Sequence, residues 1–451
     1  MGMVKTTLAL ALLAAGSAAA QEHQHPAPAP PAQDHAHHAT QAGENLFPAR
    51  DASGTSWLPE ATPMHAGHAR VGQWELMWHG NAFLQFINES APEHRGAHQT
   101  GSINWVMGMA RRRAGAGRVG VRTMLSVEPW TIGGCGYPDL LATGETCDGD
   151  TIHDLQHPHD LFMELALEYE RPLGRGLHWF VYGGPVGEPA LGPVAFPHRV
   201  SAMSNPIAPI GHHWLDATHI TFGVVTAGIG GWRRGGPSLG AGASAKAAGP
   251  PGWNIEASAF NGREPDENRT DIDLDALDSY AARFTVAPSS TTVLQVSAGR
   301  LNDAERHGSL PATDLTRVTA SATYHRAMSP STLWATTVAW GMNSEPIETT
   351  HALLVESAVS LRDRHVGFLR WELTGKPAHD LHVHESTDVY TVSKLQMGYA
   401  GYLRPGHGLQ IGFGGSVAGS FVPEYLAPRY GGRVAPGVAV FVTLRPAAHA
   451  M

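Results

Sequence analysis

Histidine is the residue type through which this chain could do chemistry. It occurs 27 times in 451 residues, and mostly in clusters. HDLQHPHD carries His153, His157 and His159; a proline-rich stretch carries His198, His212 and His213; HDLHVHE carries His379, His382 and His384; PMHAGH sets Met64 beside His65 and His68. Asp154, Asp160, Asp216, Asp380 and Glu385 stand next to these groups. Neutral imidazole and thioether suit copper or zinc, and a neighbouring carboxylate can join the coordination sphere or orient a ring. Histidine is also an ordinary polar loop residue, so each cluster is either a ligand set or hydrogen-bonded packing. Copper and zinc are the ions to test, and the residues alone select neither.

No catalytic motif accompanies the histidines. The chain has no G-x-S-x-G elbow, no H-E-x-x-H and no P-loop, and its glycine-rich run 229–244 lacks the strand-to-helix setting of a phosphate cradle. A non-enzymatic protein is expected, with a barrel-embedded hydrolase as a further alternative because isolated Ser, His or Asp residues leave no motif. The formal net charge of -9 argues against a nucleic-acid partner.

Residues 1–20 read as an export signal: Lys5, the apolar run TTLALALLAAG, then Ser17 to Ala20 ahead of Gln21, near which the mature chain is expected to begin. Residues 21–70 are rich in His, Pro and Ala, with too few large apolar residues for a core, and are expected to form a disordered tail. Cys135 and Cys147 share one polar segment, and in an oxidising compartment a disulfide is the default over a thiolate metal pair.

The elements that must carry the clusters have a period of two. In LFMELALEYE, Leu161, Met163, Leu165, Leu167 and Tyr169 alternate with Phe162, Glu164, Ala166, Glu168 and Glu170. No stretch past residue 20 is long and apolar enough for a membrane helix, so the chain either is soluble or crosses as strands. About sixteen such strands are expected between residues 71 and 446, with 447–451 as a short tail. Apart from an anomalous stretch at 229–251, their connections alternate between short links such as RAGAG, PLGRG and RPGHG and long loops, an asymmetry that soluble sandwiches have no reason to show. Aromatic residues near strand ends, among them Trp78, Trp105, Tyr280, Trp334 and Tyr399, fit interfacial girdles. The fold class is therefore all-β: a transmembrane, antiparallel, up-and-down barrel. Arg122, Glu128, Glu164, Glu168, Glu256, Arg283, Glu356, Arg370, Glu372 and Lys394 fall on its inward face and predict a mixed-charge lumen with a mild cation bias.

In this layout the chain resembles a porin-type outer-membrane barrel, and FNGREPDENR and YGGPVGEPALGP resemble an uncharacterised exported-barrel family. The last strand, GVAVFVTLRP, is similar to the terminal strands by which outer-membrane proteins are recognised for assembly, although RPAAHAM follows where an aromatic usually ends the chain. A His- and Met-bearing tail ahead of a barrel is similar to copper-resistance outer-membrane proteins, without their repeated Met-His motif. The resemblance implies outer-membrane lipid as environment and passage of small solutes or ions as function. The alternative is an envelope protein that binds or transports copper or zinc. The oligomeric state stays open.

One stretch stands apart. Residues 183–216 hold prolines at 185, 189, 193, 197, 206 and 209, too many for a helix or paired strand, yet also Leu191, Val194, Phe196, Ile207, Ile210 and Trp214. It is the third long loop, and in porins the third loop commonly narrows the lumen. Folded inward it would form a constriction lined by imidazoles that changes charge between about pH 5 and 8. Folded outward it would be a cap.

Overall fold

The computed structural model describes residues 46–91, 95–232, 252–305 and 312–447. In chain order the strands are β1 (Gly67–Val71), β2 (Trp74–Glu89), β3 (Ala97–Ala114), β4 (Gly117–Leu125), β5 (Tyr137–Cys147), β6 (Asp150–Gln156), β7 (Phe162–Gly174), β8 (Leu177–Gly187), β9 (Thr221–Trp232) and β10 (Gly252–Phe260). There follow β11 (Ser279–Ser289), β12 (Thr292–Glu305), β13 (Thr313–Ser329), β14 (Thr332–Ser344), β15 (Thr349–Leu361), β16 (His365–Pro377), β17 (Val389–Tyr402), β18 (Leu409–Phe421) and β19 (Val434–Pro446).

Sixteen of these close an up-and-down antiparallel barrel: β2 to β4 and β7 to β19, each paired with the next, with β19 returning to β2. The sixteen strands expected from alternation are all present. Closure leaves no edge, which satisfies backbone polar groups in a bilayer. Leu84, Val106, Leu167, Val225, Ile255, Val296 and Val440 point outward and are exposed, while Gln85, Glu256, Thr319, Thr337 and Gln396 on the other face are buried. An apolar exterior around a polar interior is the inverse of a soluble protein; it is the pattern of a barrel seated in the outer membrane. Of the proposed girdle, Trp78, Tyr280, Trp334 and Tyr399 are exposed, whereas Trp105 is buried in the lumen.

Three departures from the sequence reading place mass inside the barrel. Residues 46–70 are not a disordered tail: Leu46, Phe47, Trp57 and Leu58 are buried, and β1 pairs with the start of β2. Arg111 reaches in from the wall to donate to the Leu46 carbonyl at 2.9 Å and Asp51 at 2.6 Å, and Arg122 donates to the Ala52 carbonyl at 2.9 Å. The cysteine segment does not simply face out. Its strands β5 and β6 form a hairpin whose Leu140 and Leu141 are fully buried and whose Asp139 accepts from Lys394 of β17 at 2.6 Å. Finally, β7 starts with a register shift, so Met163 is buried inside instead of facing lipid with Leu167.

Candidate functional site

The lumen is filled, and the loop from Glu188 to Ile220 does most of the filling. Its five prolines, at 189, 193, 197, 206 and 209, keep it from hydrogen-bonding to itself as a strand, so its amides and carbonyls turn to the wall, whereas Pro185 falls within β8. Ala190 N–H donates to Ser258 at 2.7 Å, Gly192 N–H to Ser297 at 2.9 Å and Gly211 N–H to Glu372 at 2.9 Å. Asn205 donates to Gln396 at 2.7 Å, the Trp214 indole to Thr350 at 2.7 Å, and Asn343 to the His213 carbonyl at 3.0 Å. These partners lie on β10, β12, β14, β15, β16 and β17, so the loop spans the interior. A short helix, α1 (His212–Leu215), seats against β14, where only glycine fits: a Cβ on Gly341 would lie 2.2 Å from the Trp214 carbonyl oxygen.

The charge lock sits at the centre of this plug. Arg199 is 1 % exposed and donates to Glu356 of β15 at 2.8 Å and to Asp216 of its own loop at 2.5 Å. Arg370 of β16 donates to the other Glu356 oxygen at 2.7 Å and to the Ile207 carbonyl at 2.6 Å. Burial alone would raise the Asp216 carboxyl, but the Arg199 guanidinium holds it well below the usual range. The other lumen charges are paired in the same way. Arg283 binds Glu256 at 2.9 Å, Arg122 binds Glu164 at 2.9 Å, Arg111 binds Glu168, Lys394 bridges Glu89 and Asp139, and Glu372 takes the plug amide. A mixed-charge lumen is therefore present, although its charges are satisfied internally. Glu128 is the exception to the expected list. It lies past the end of β4, fully buried in the second long loop, where it accepts from Asn104 N–H at 3.0 Å and from His159 N–H at 2.9 Å.

The sequence clusters of histidine are regrouped by the fold. His153 packs against His382 with tilted rings 4.2 Å apart, and His384 lies 5.7 Å from His382. The His379 carbonyl accepts from the His382 amide at 3.0 Å, while its ring lies beside Asp380 at 3.2 Å and Glu348 at 3.7 Å. His157 meets His212 and His213 at 6.0 and 5.9 Å, whereas His159 meets His219 at 5.4 Å. His198 leaves its sequence partners and packs on His79 and Trp105 at 5.4 and 4.6 Å. Met64 and His65 line one pocket, while His68 sits on β1 against Phe47. Burial pushes His157, His198, His212 and His219 below the ordinary histidine value and His213 down to about 4, so the rings are held neutral. The expected titration of this loop between pH 5 and 8 is thus suppressed. Only His159 moves the other way: burial lowers it, but the Glu128 carboxylate 2.9 Å away more than compensates.

Three groups among the described residues bring metal-ligating atoms within 4.8 Å of one another. In the first, Cys135 and Cys147 beside Asp148, the sulfurs are joined in a disulfide, as expected from the sequence. The second is His213 with Glu264 and Glu305, at the long-loop end; the third is the exposed trio Asp266, Asp271 and Asp273. Sequence reasoning passed over His79, His219, Glu264, Glu305 and the lumen-facing methionines. Strand alternation was the available signal for His79, Met107 and Met109, since each falls on the inward parity of its strand.

Sixteen strands, short turns at one end, long loops at the other and an inward third loop define a porin-like barrel. No protein-family model matches the chain, and no curated protein matches it. Among solved structures it is similar to an anion-selective porin from Comamonas acidovorans (10% identity, 82% of this chain and 99% of that one, TM-score 0.47). It is also similar to Salmonella typhi OmpF, solved with daunomycin (10% identity, 84% and 100% coverage, TM-score 0.49). A third is Pseudomonas putida OprB (7% identity, 82% and 94% coverage, TM-score 0.43).

Proposed function

We propose that this protein is an outer-membrane channel for small solutes whose third long loop is a plug, with the long-loop end outside the cell. The observation that carries this reading is the Arg199–Asp216–Glu356–Arg370 network, which ties the loop to the wall at the centre of the lumen. A sixteen-stranded barrel is wide enough for an aqueous lumen, and here folded chain occupies that space. The plug is seated by polar and ionic contacts, which water can replace one by one when the loop withdraws, and by apolar ones, with Leu191, Phe196, Ile207, Ile210 and Trp214 packed in buried clusters with wall residues such as Ile87, Phe260, Leu354 and Val392. Removing residues 190–209 is expected to raise single-channel conductance in a planar bilayer while the barrel stays folded. Unchanged conductance would make the stretch a structural filling and not a gate.

The second reading, an envelope metal protein, is favoured by a separate observation: the neutral, mutually packed imidazoles inside the lumen. It converges with the first when the solute is itself a metal ion.

A further inference from the structure

Resting on the channel reading, we propose that the solute is a soft monovalent metal cation, copper(I) or silver(I), bound by thioethers and imidazoles at the short-turn end and led through the plug along a line of histidines. The register of three adjacent strands builds the entry. Met77 of β2 stands opposite Met109 of β3, His79 opposite Met107, and Met107 in turn opposite Met124 of β4. Directly paired positions bring Cβ atoms to within about 5.5 Å. The His79 Nε2 lies 3.1 Å from the Met107 sulfur, already a juxtaposition of two ligand atoms. The inward positions of β10, β13 and β15 carry no methionine: they hold polar residues such as Glu256, Ser258, Arg317, Thr319, Thr350 and Glu356 beside Phe260, Leu315 and Leu354.

Methionine is commonly a gap-filler, and a packed core would need nothing more. Two features go beyond filling. Met77 and Met109 line a pocket of about 70 Å³ that also receives Met64 and His65 from the entering chain and Met203 and His198 from the plug. Three separate segments thus deliver thioether and imidazole to one space. In addition, His198 also faces a second, smaller cavity beyond it, lined by Met124, Met163 and His219 together with Glu164 and Glu188. The donors are therefore continuous.

From His219 the line runs through His212 at 5.2 Å to His213 at 5.5 Å between ring centroids. His213 opens on the long-loop end beside Glu264 and Glu305, and among the described residues its Nε2 has no hydrogen-bond partner. Thioether selects copper(I) over harder ions, imidazole accepts it, and an exit bearing carboxylates binds a soft ion more weakly.

The sulfur chemistry gives a clean test, because the two cysteines are locked as a disulfide and residues 21–45 contain no methionine. Sulfur bound to metal must then be methionine. The full-length protein is titrated with Ag⁺, with X-ray absorption of the bound ion and parallel Ag⁺ and K⁺ flux into protein-bearing vesicles. The parent is expected to show sulfur scatterers and Ag⁺ flux well above K⁺ flux. The variant M77L/M107L/M109L, which conserves volume, is expected to lose the sulfur signal and to weaken Ag⁺ binding more than tenfold. H79Q, and M107L alone, serve if the triple variant misfolds, each with at least a tenfold weakening. Identical titrations and spectra for parent and folded variants would overturn the site, and sulfur-ligated Ag⁺ without Ag⁺ flux would overturn the path. If the chain lacking 190–209 conducts K⁺ while Ag⁺ meets only nitrogen ligands, the channel reading survives and the metal reading fails.

Discussion

Arg199→Met is the sharpest probe of the plug. The guanidinium is 1 % exposed, and its two carboxylate partners, Asp216 and Glu356, are 2 % and 1 % exposed. In the variant Glu356 keeps Arg370 at 2.7 Å, and Asp216 keeps only the His212 ring at 2.9 Å and the Phe196 amide at 2.8 Å. Two guanidinium groups facing two carboxylates become one facing two, so one buried negative charge is left over. Removing one partner of a buried pair costs roughly 3–5 kcal/mol, because the other charge stays desolvated. If that cost falls on the seated plug and not on the barrel, the ratio of open to closed channels rises by roughly 140- to 3,700-fold at about 1.4 kcal/mol per tenfold. The assay is single-channel recording in a planar bilayer, with Arg300→Met as control. Arg300 pairs with Asp314 at the surface, both nearly half exposed, and its loss should change nothing measurable. A folded R199M protein with the open probability of the parent would refute the lock.

Two further outcomes follow from the same seat. Gly341→Ala places a methyl group where the Trp214 carbonyl now lies, so the plug must shift; raised conductance, with Gly367→Ala inert because nothing lies near that position, is the expected pair of results. Burial pushes the Glu188 carboxyl up to about 8, with Arg283 at 3.7 Å opposing, so it is neutral in the seated plug and ionised above about pH 4.5 once released. Its stabilising contribution is whole below about pH 4.5 and is lost as pH rises toward 8. E188Q should therefore match the parent in thermal unfolding at pH 4 and exceed it at pH 8, by a free energy of order 4 kcal/mol at most.

The barrel was legible because a lipid-facing wall imposes two rules at once: alternation along each strand and turns kept short at one end. Both are local properties of sequence. What the chain puts inside the barrel obeys no such rule. Residues 46–66 hold three prolines and no strand alternation, yet they are ordered because Leu46, Phe47, Trp57 and Leu58 are buried and Arg111 and Arg122 offer donors to their carbonyls, and that partnership spans distant sequence. Glu128 was misplaced for a related reason: β4 ends at Leu125, and the alternation that continues past it belongs to a loop. The histidines show the limit most clearly. HDLQHPHD suggests one ligand set, but its three rings diverge to His382, His212 and His219, on different segments. His79 and Met107 carry no sequence signal of their pairing, since it exists only once β2 and β3 are in register.

A lock made of charges has a property that an apolar plug lacks. Taking an ion pair out of water costs about as much as the pair recovers, so the pair fixes one arrangement without adding much net stability. The charge count at the lock therefore matters more than the number of contacts, which a second substitution can separate. In R199M/D216N the surplus carboxylate is gone, and Glu356 and Arg370 remain as a balanced pair at 2.7 Å. The carboxamide oxygen introduced at position 216 can still accept from the Phe196 amide, which in the parent donates to Asp216 at 2.8 Å. More hydrogen bonds are missing than in R199M, yet the plug should reseat and the open probability should fall back toward the parent. The coupling expected for residues in direct contact is roughly 0.5–3 kcal/mol, a recovery of between about twofold and a hundredfold. A double variant that leaks as much as R199M would mean that the lock works by its contacts and not by its charge.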